Sequence, residues 1–167
     1  MAEIAVLAFD KLIEYEEEET QKWEKWLGAQ SPKALEVPVG TGETATVRGL
    51  IWHICAVEYR HAQRLLGEPP ASHEELRQDS LEAVFRMGDT ARMKLTSFLA
   101  GSTDAVLDEV ITIETRRAGK VTTSRRKLLA HALLHGVRHW AQIATALRQA
   151  GYTQEWPHDF LFTEALK

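Results

Sequence analysis

The sequence predicts an all-α protein that folds as a four-helix bundle. Four stretches of the chain repeat apolar side chains at the helical period, and each is long enough for several turns. Glycine follows three of these stretches, at Gly28, Gly67 and Gly151, where it can end a helix. Strand-forming residues are concentrated in one segment, residues 110–123. We therefore expect four packed helices with a small extended or hairpin insertion before the last long one.

Length and composition are those of one soluble globular domain over residues 1–167. Apolar residues make up 44% and charged residues 26%, and the formal net charge of −4 gives no overall attraction to nucleic acid. No apolar run approaches the roughly 18 residues that a membrane helix needs. Cys55 is the only cysteine, and the N-terminus lacks the basic start of a signal peptide. These features predict a cytoplasmic protein that binds neither nucleic acid nor membrane.

The first predicted helix runs from Ala2 to Leu27. Its apolar stripe is interrupted by the acidic run Glu16–Glu19, which we interpret as a solvated outer face. Prolines and glycines then make residues 31–45 a connector without regular helix.

Polar caps mark the starts of the second and third predicted helices. Thr46 is a suitable N-cap for a helix that ends at Gly67, and Ser80 for one that continues through Leu99. Between them, Ser72–Gln78 reads as a short acidic turn of helix. Connectors of more than ten residues follow the first and second helices, so a crossover is allowed and simple up-down-up-down order is not required.

The last long helix follows the least helical part of the chain, residues 101–123. There a turn at residues 118–120 separates two strand-like runs. Thr123 or Ser124 then caps a helix that reaches about Ala150. The tail after it contains the run 159–162, which predicts a short turn packed on the bundle.

Three histidines lie four residues apart on this last helix, in the stretch HALLHGVRHWAQ. His135 and His139 are one turn apart on one face, so both imidazoles can reach a single divalent metal ion. His131 is eight residues from His139, about 12 Å along the axis, so one ion cannot bind both. His53, on the second helix, is the best candidate for a third ligand. The competing interpretation is that such histidines are only hydrogen-bonded or solvent-facing.

Four further residues are candidates for the surroundings of such a site. Glu58 is either a support for a ligand or, as we favour, an ion-pair partner of an arginine. Gln142 is placed to hydrogen-bond a ligand histidine or to form a plain interhelical hydrogen bond. We place His61 and His131 at the rim.

Other chemically notable residues have simpler explanations. Cys55 is interpreted as a small core residue rather than a nucleophile, and the five tryptophans as core or dimer contacts. A local basic cluster is either a solvated patch or a binding surface for an anionic substrate or a thiol carboxylate. It consists of Arg116, Arg117, Lys120, Arg125, Arg126 and Lys127.

Two motifs in order resemble the DinB/YfiT-like family. The first is a histidine early in the second helix, within LIWHICAVEYRHAQRLLG, and the second is HGVRHWAQ followed by LRQAGY. Many family members read HxxHHRGQ at the second motif, whereas Arg138 replaces the middle histidine here and Trp140-Ala141 replaces Arg-Gly. The resemblance covers nearly the whole chain. It implies a bundle of up-down-down-up order and a divalent metal held by His53, His135 and His139.

The resemblance also implies a function. Family activities include thiol-dependent S-transferases, a thiol-dependent isomerase and assigned hydrolases, so a small-molecule substrate and a low-molecular-weight thiol co-substrate are expected. Three imidazoles without a thiolate suit zinc or nickel and leave coordination positions open for chemistry. The family also points to a homodimer. The alternative function is a non-catalytic dimer that binds a metal or another ligand.

Overall fold

The computed structural model describes residues 8–116 and 118–165, and its main elements are helices. Four of the described helices are long, a short one precedes a two-stranded hairpin, and three 3-10 turns lie in the connectors and tail. The helices are α1 (Phe9–Gly28), α2 (Val47–Leu65), α3 (Leu81–Ala100), α4 (Asp104–Asp108) and α5 (Arg125–Gln149); the strands are β1 (Val110–Thr115) and β2 (Gly119–Ser124); the 3-10 turns are Pro32–Glu36, Gly42–Thr44 and Phe160–Phe162.

Two apolar clusters at opposite ends of the bundle give the helix directions. The Trp23 cluster joins the end of α1 and of α5 to the beginning of α2 and of α3; its members include Trp23, Leu50, Phe85 and Ile143. The Ile13 cluster joins the opposite ends of the same helices; its members include Ile13, Leu65, Leu95 and Leu129. Helices α1 and α5 therefore run one way and α2 and α3 the other. The order is up-down-down-up, which confirms the expectation from the family resemblance.

Parallel α2 and α3 need a connection that returns along the length of the bundle. Residues 66–80 make this connection, which begins at Gly67 with a positive φ of 75°. The segment Ser72–Gln78 contains turns at residues 73–76 and no helix, so the prediction of a short helix there is wrong. The Ser72 N–H donates to the Glu75 carboxylate, and the Glu75 N–H donates to the Ser72 hydroxyl. These two backbone groups are therefore satisfied by side chains in place of helical hydrogen bonds.

The predicted N-caps begin the helices as expected. The hydroxyl oxygens of Thr46, Ser80 and Ser124 accept hydrogen bonds from the backbone N–H three residues further on, at the starts of α2, α3 and α5. Helix α3 continues through Gly88. The missing Cβ of this residue leaves room for the Cys55 sulfur, 3.0 Å from where that Cβ would lie.

The predicted insertion before α5 is an antiparallel hairpin. Ile113 pairs with Val121, and Ile113 is buried in the Ile13 cluster. The short helix α4 precedes the hairpin, so residues 104–108 are helical where the sequence indicated little helix. Thr103 supplies its N-cap by accepting from the Val106 N–H. A cap and a single turn are too short to produce a recognisable helical period.

The acidic run in α1 is not a solvated outer face. Glu16 is 1% exposed and Glu19 is 4% exposed, so the prediction fails for these two residues. The physical reason is position: residues 13, 16, 20, 23 and 27 follow one another at helical spacing and together face the bundle interior. Positions 2–7 of the predicted first helix lie outside the described residues.

A buried polar layer separates the two apolar clusters. Arg92 donates to Glu58 at 3.2 Å and to the exposed Asp89 at 2.6 Å, while Glu58 is fully buried. Both carboxylate oxygens of Glu16 are buried without a hydrogen-bond partner among the described residues. Burial, and then the neighbouring Glu58, raise the pKa of Glu16 well above that of an ordinary carboxyl group.

The tryptophans form part of the core. Trp23 is completely buried and stacks on Trp140 with ring centroids 5.4 Å apart, and Trp156 meets it edge-on. Cys55 is also buried there, which raises the pKa of its thiol and agrees with a packing role. Among the described helices, none combines the length and apolarity required to cross a bilayer.

Candidate metal centre

His53 is held on α2 one turn after a close backbone contact. A Cβ at Gly49 would lie 2.2 Å from the carbonyl oxygen of Glu43, so only glycine lets the 42–44 turn pack on this helix. Gly49 and His53 are four residues apart and share a face of α2. The turn that carries Glu43 is thereby fixed close to His53.

His135 and His139 extend from α5 toward His53. The Nε2 atoms of His53 and His139 each lie 3.1 Å from Nε2 of His135. One ligand nitrogen from each of the three residues lies within 4.8 Å of the others. The structure therefore brings together the three histidines that the sequence singled out, at the boundary between α2 and α5.

These distances suit a shared metal ion better than hydrogen bonds alone. A neutral imidazole nitrogen has either one proton or one lone pair, so Nε2 of His135 can hydrogen-bond to only one of its two neighbours. Two nitrogens bound to one tetrahedral zinc ion at 2.0–2.1 Å lie about 3.3 Å apart. The observed 3.1 Å is close to this spacing. The donor set and its geometry therefore fit a divalent ion.

Gln142 fixes the orientation of one of the rings. Its Oε1 lies 2.5 Å from Nδ1 of His139, and since an amide oxygen only accepts, Nδ1 must donate. The lone pair of His139 is then on Nε2, which is the atom that faces the other two rings. Nδ1 of His135 is buried and has no partner within the described part of the chain, so no equivalent contact fixes that ring.

The three imidazoles are held in their uncharged form. Burial and then the neighbouring His139 lower the pKa of His53 to about 4, and burial followed by the same neighbour lowers that of His135 to about 2. Burial also lowers the pKa of His139, against the hydrogen bond to Gln142. Neutral rings at pH 7 offer lone pairs to a metal without first losing a proton.

The other candidate residues, Glu58, His61 and His131, are not members of the three-histidine group. Glu58 is the ion-pair partner of Arg92 inside the bundle. His61 is buried rather than at a rim, and its Nδ1 accepts from Arg64 at 3.2 Å. Its Nε2 therefore carries the proton and has no lone pair for a metal. His131 is exposed and adjoins the centre, because its ring centroid lies 5.4 Å from that of His135 and 5.3 Å from that of His61.

Sequence reasoning missed the side chains around Glu43. The Glu43 carboxylate accepts a hydrogen bond from Arg116 Nη1 at 2.7 Å and lies 3.3 Å from Nε2 of His73. The His73 ring contacts Trp52 edge-on. Arg116 is in the turn between β1 and β2, so the hairpin extends as far as the start of α2. Residues so far apart in the chain share no periodic signal, and only the packed hairpin brings them together.

Three arginines of the basic cluster are paired with acidic neighbours. Arg116 pairs with Glu43, Arg125 with Glu109, and Arg126 with both Asp104 and Asp108. Arg117 lies outside the described residues. The paired arginines are therefore not free to bind an anion without giving up these contacts.

Comparisons with known proteins agree with this fold. The sequence model of the DinB family matches residues 3–166. YfiT from Bacillus subtilis, described as a probable metal-dependent hydrolase with an unusual four-helix bundle topology, has a similar structure with a TM-score of 0.70. It is 16% identical, over 92% of this chain and 93% of its own. A DinB-like protein from Bacillus subtilis is 19% identical, with a TM-score of 0.59, over 90% and 96% of the two chains. Curated proteins give no significant match.

Proposed function

The chain belongs to the DinB family, and from this premise we propose that it is an enzyme that depends on a divalent metal ion. One ion per chain is held by His53, His135 and His139, and the substrate is a small molecule. The observation that carries the proposal is the convergence of three neutral ring nitrogens from two helices. The description of the structural neighbour YfiT as a probable metal-dependent hydrolase supports the same reaction type.

The protein's own groups have separate tasks in this proposal. The three imidazoles bind the ion through nitrogen lone pairs, and Gln142 orients His139 by accepting its Nδ1 proton. The ion, when bound, supplies Lewis-acid chemistry at coordination positions that the protein leaves open. A donor set of three nitrogens without thiolate is the reason to propose zinc or nickel.

The reaction is either hydrolysis or thiol-dependent group transfer. Hydrolysis is supported by the description of YfiT, and transfer from a low-molecular-weight thiol by the two sequence motifs. Metal-loaded protein assayed with activated esters and with electrophiles, each with and without added thiol, separates the two. Turnover that requires thiol identifies a transferase, turnover without thiol a hydrolase, and no turnover in any arm favours a non-catalytic metal-binding protein.

We also propose a cytoplasmic homodimer. Large apolar side chains remain exposed on the single chain, including Leu134 on α5 and Leu161 and Phe162 in the tail. Such surface is typical of interfaces when it is contiguous. The single buried cysteine is compatible with a reducing compartment.

Metal content of variants tests the ligand set directly. Protein purified without a nickel column should contain one divalent ion per chain. His139→Ala should weaken binding by more than about a hundredfold, because loss of a residue that only supports a ligand already costs 10–100-fold. His131→Ala is the matched control on the same helix and should retain the ion. Loss of metal from His131→Ala but not from His139→Ala would show that the ligand assignment is wrong.

A further inference from the structure

A polar stripe on α5 links the metal centre to a groove. Gln142, Thr145 and Gln149 line one wall of a groove of about 450 Å³, together with Ala146. Arg138 is four residues before Gln142, so it continues the same stripe by one turn. In the sequence it also lies between His135 and His139, the two proposed ligands of this helix. Arg138 is thus one helical turn beyond the groove, on the side of the metal centre.

The opposite wall of the groove leads to the same centre. Residues 38–41 form this wall and continue directly into the 42–44 turn, whose Glu43 packs on Gly49 one turn before His53. Gln142 belongs to both places, because it lines the groove and bonds His139. A molecule lying in the groove can therefore extend one end toward the three histidines.

The two parts of this surface differ in charge. None of the described residues that line the groove is charged. Arg138 is exposed and has no hydrogen-bond or ion-pair partner within residues 8–116 and 118–165. Arg138 is therefore an unneutralised cation on the residue next to the proposed ligand His139.

We propose that the substrate has a neutral body, which lies in the groove, and one carboxylate-like anionic group, which pairs with Arg138 beside the metal. The inference rests on the proposed function and names the substrate class for the same site. A planar guanidinium presents parallel donors that match the two oxygens of such a group. The neutral walls of the groove favour an uncharged body because they offer no charge to compensate a second one.

Three small thiols of similar size and different terminal charge test this assignment. Mercaptoacetate is negative, 2-mercaptoethanol neutral and cysteamine positive, and each can be titrated into cobalt-loaded protein and followed by near-ultraviolet charge-transfer absorption. Arg138→Gln should weaken mercaptoacetate binding about fivefold, which is the effect of one partly exposed ion pair. The same variant should leave 2-mercaptoethanol unchanged and should not weaken cysteamine. Low ionic strength keeps the effect measurable.

The controls separate this inference from the proposed function. The affinity of each thiol is compared between wild type and variant. Any attraction of the anionic group to the metal ion itself is the same in both proteins and cancels. Arg86→Gln removes the same charge from the exposed surface of α3 and should change none of the three affinities. If the wild type binds no cobalt, the proposed function fails. If cobalt binds but mercaptoacetate does not, or if Arg138→Gln weakens all three thiols equally or none, the inference is overturned and the metal site stands.

Discussion

Glu16 is a single residue whose burial has a measurable consequence for pH dependence. Because burial raises its pKa, the folded protein keeps the carboxyl protonated at pH values where the unfolded chain loses the proton. Its contribution to stability is therefore fully present below the ordinary carboxyl pKa and is lost as pH rises. We expect Glu16→Gln, which does not titrate, to become more stable relative to wild type as pH rises above the ordinary carboxyl pKa. The limit is about 1.4 kcal/mol per pH unit.

Urea unfolding of both proteins at several pH values measures this difference. Glu17, the exposed neighbour of Glu16, provides the control, and Glu17→Gln should have a small effect throughout because its side chain lies in solvent. A difference between wild type and Glu16→Gln that stays constant, or that decreases as pH rises, would mean that Glu16 is ionised in the folded protein.

At the same scale, the three histidines could be predicted and the surrounding carboxylates could not. Helical spacing places His135 next to His139, and the first motif, on the second helix, supplies His53. Glu16 was assigned to solvent because carboxylates are rarely buried, although its position on the stripe of Ile13 and Trp23 indicates the opposite. The position of Glu43 depends on its backbone contact with Gly49 and on its ion pair with Arg116 of the hairpin. Neither contact produces a periodic pattern in the sequence.

On helix α5 the proposed ligand His135 is followed by Gly136, which is in close contact with Glu16. A Cβ at Gly136 would lie 2.6 Å from Oε2 of Glu16, a side chain that is 1% exposed. We expect Gly136→Ala to destabilise the protein by about 1–3 kcal/mol through overpacking. It should also weaken metal binding, because the displaced segment adjoins His135. Chemical denaturation and metal titration measure the two effects.

Gly28 in α1 is the matched control for this substitution. Nothing lies within 4 Å of a Cβ at Gly28, and its φ is not positive. Gly28→Ala should therefore be neutral or stabilising by up to about 1 kcal/mol. Combining Gly136→Ala with Glu16→Ala should recover part of the lost stability, because it removes the clashing carboxylate. Equal effects of the two glycine substitutions would contradict the packing explanation.

The elements themselves were predictable where the signals are local. The caps Thr46, Ser80 and Ser124 lie next to long periodic stretches, so the helix starts agree with the sequence. The segment 72–78 contains acidic residues and few apolar ones, and its turn is stabilised by Ser72 and Glu75 and by the burial of Leu76 in the Trp23 cluster. Composition alone does not distinguish such a turn from one turn of helix.

The whole molecule should remain folded without its metal ion. Both apolar clusters are built from all four long helices and are independent of the histidines. A metal concentration of 100 times the dissociation constant adds about 2.7 kcal/mol of stability. Chelation should therefore lower the melting temperature modestly, keep the helical circular dichroism spectrum and abolish metal-dependent activity. Unfolding on chelation, as in zinc fingers, would make the ion structural and remove the main support for an enzyme.

The proposed homodimer is a property of the whole surface. Sedimentation velocity at micromolar concentration should show a species of twice the chain mass. Leu134→Gln tests one exposed apolar position on α5 and should shift the equilibrium toward monomer if that face is part of the contact. A stable monomer of the wild type at these concentrations would rule out the dimer.

The up-down-down-up order has a consequence for the time course of synthesis. Both apolar clusters and the histidine group need α5, which is the last long helix to leave the ribosome. A nascent chain that ends before His135 has α2 and α3 side by side but no partner for the histidine of α2. We therefore expect a nascent chain to bind the ion only after α5 has left the ribosome.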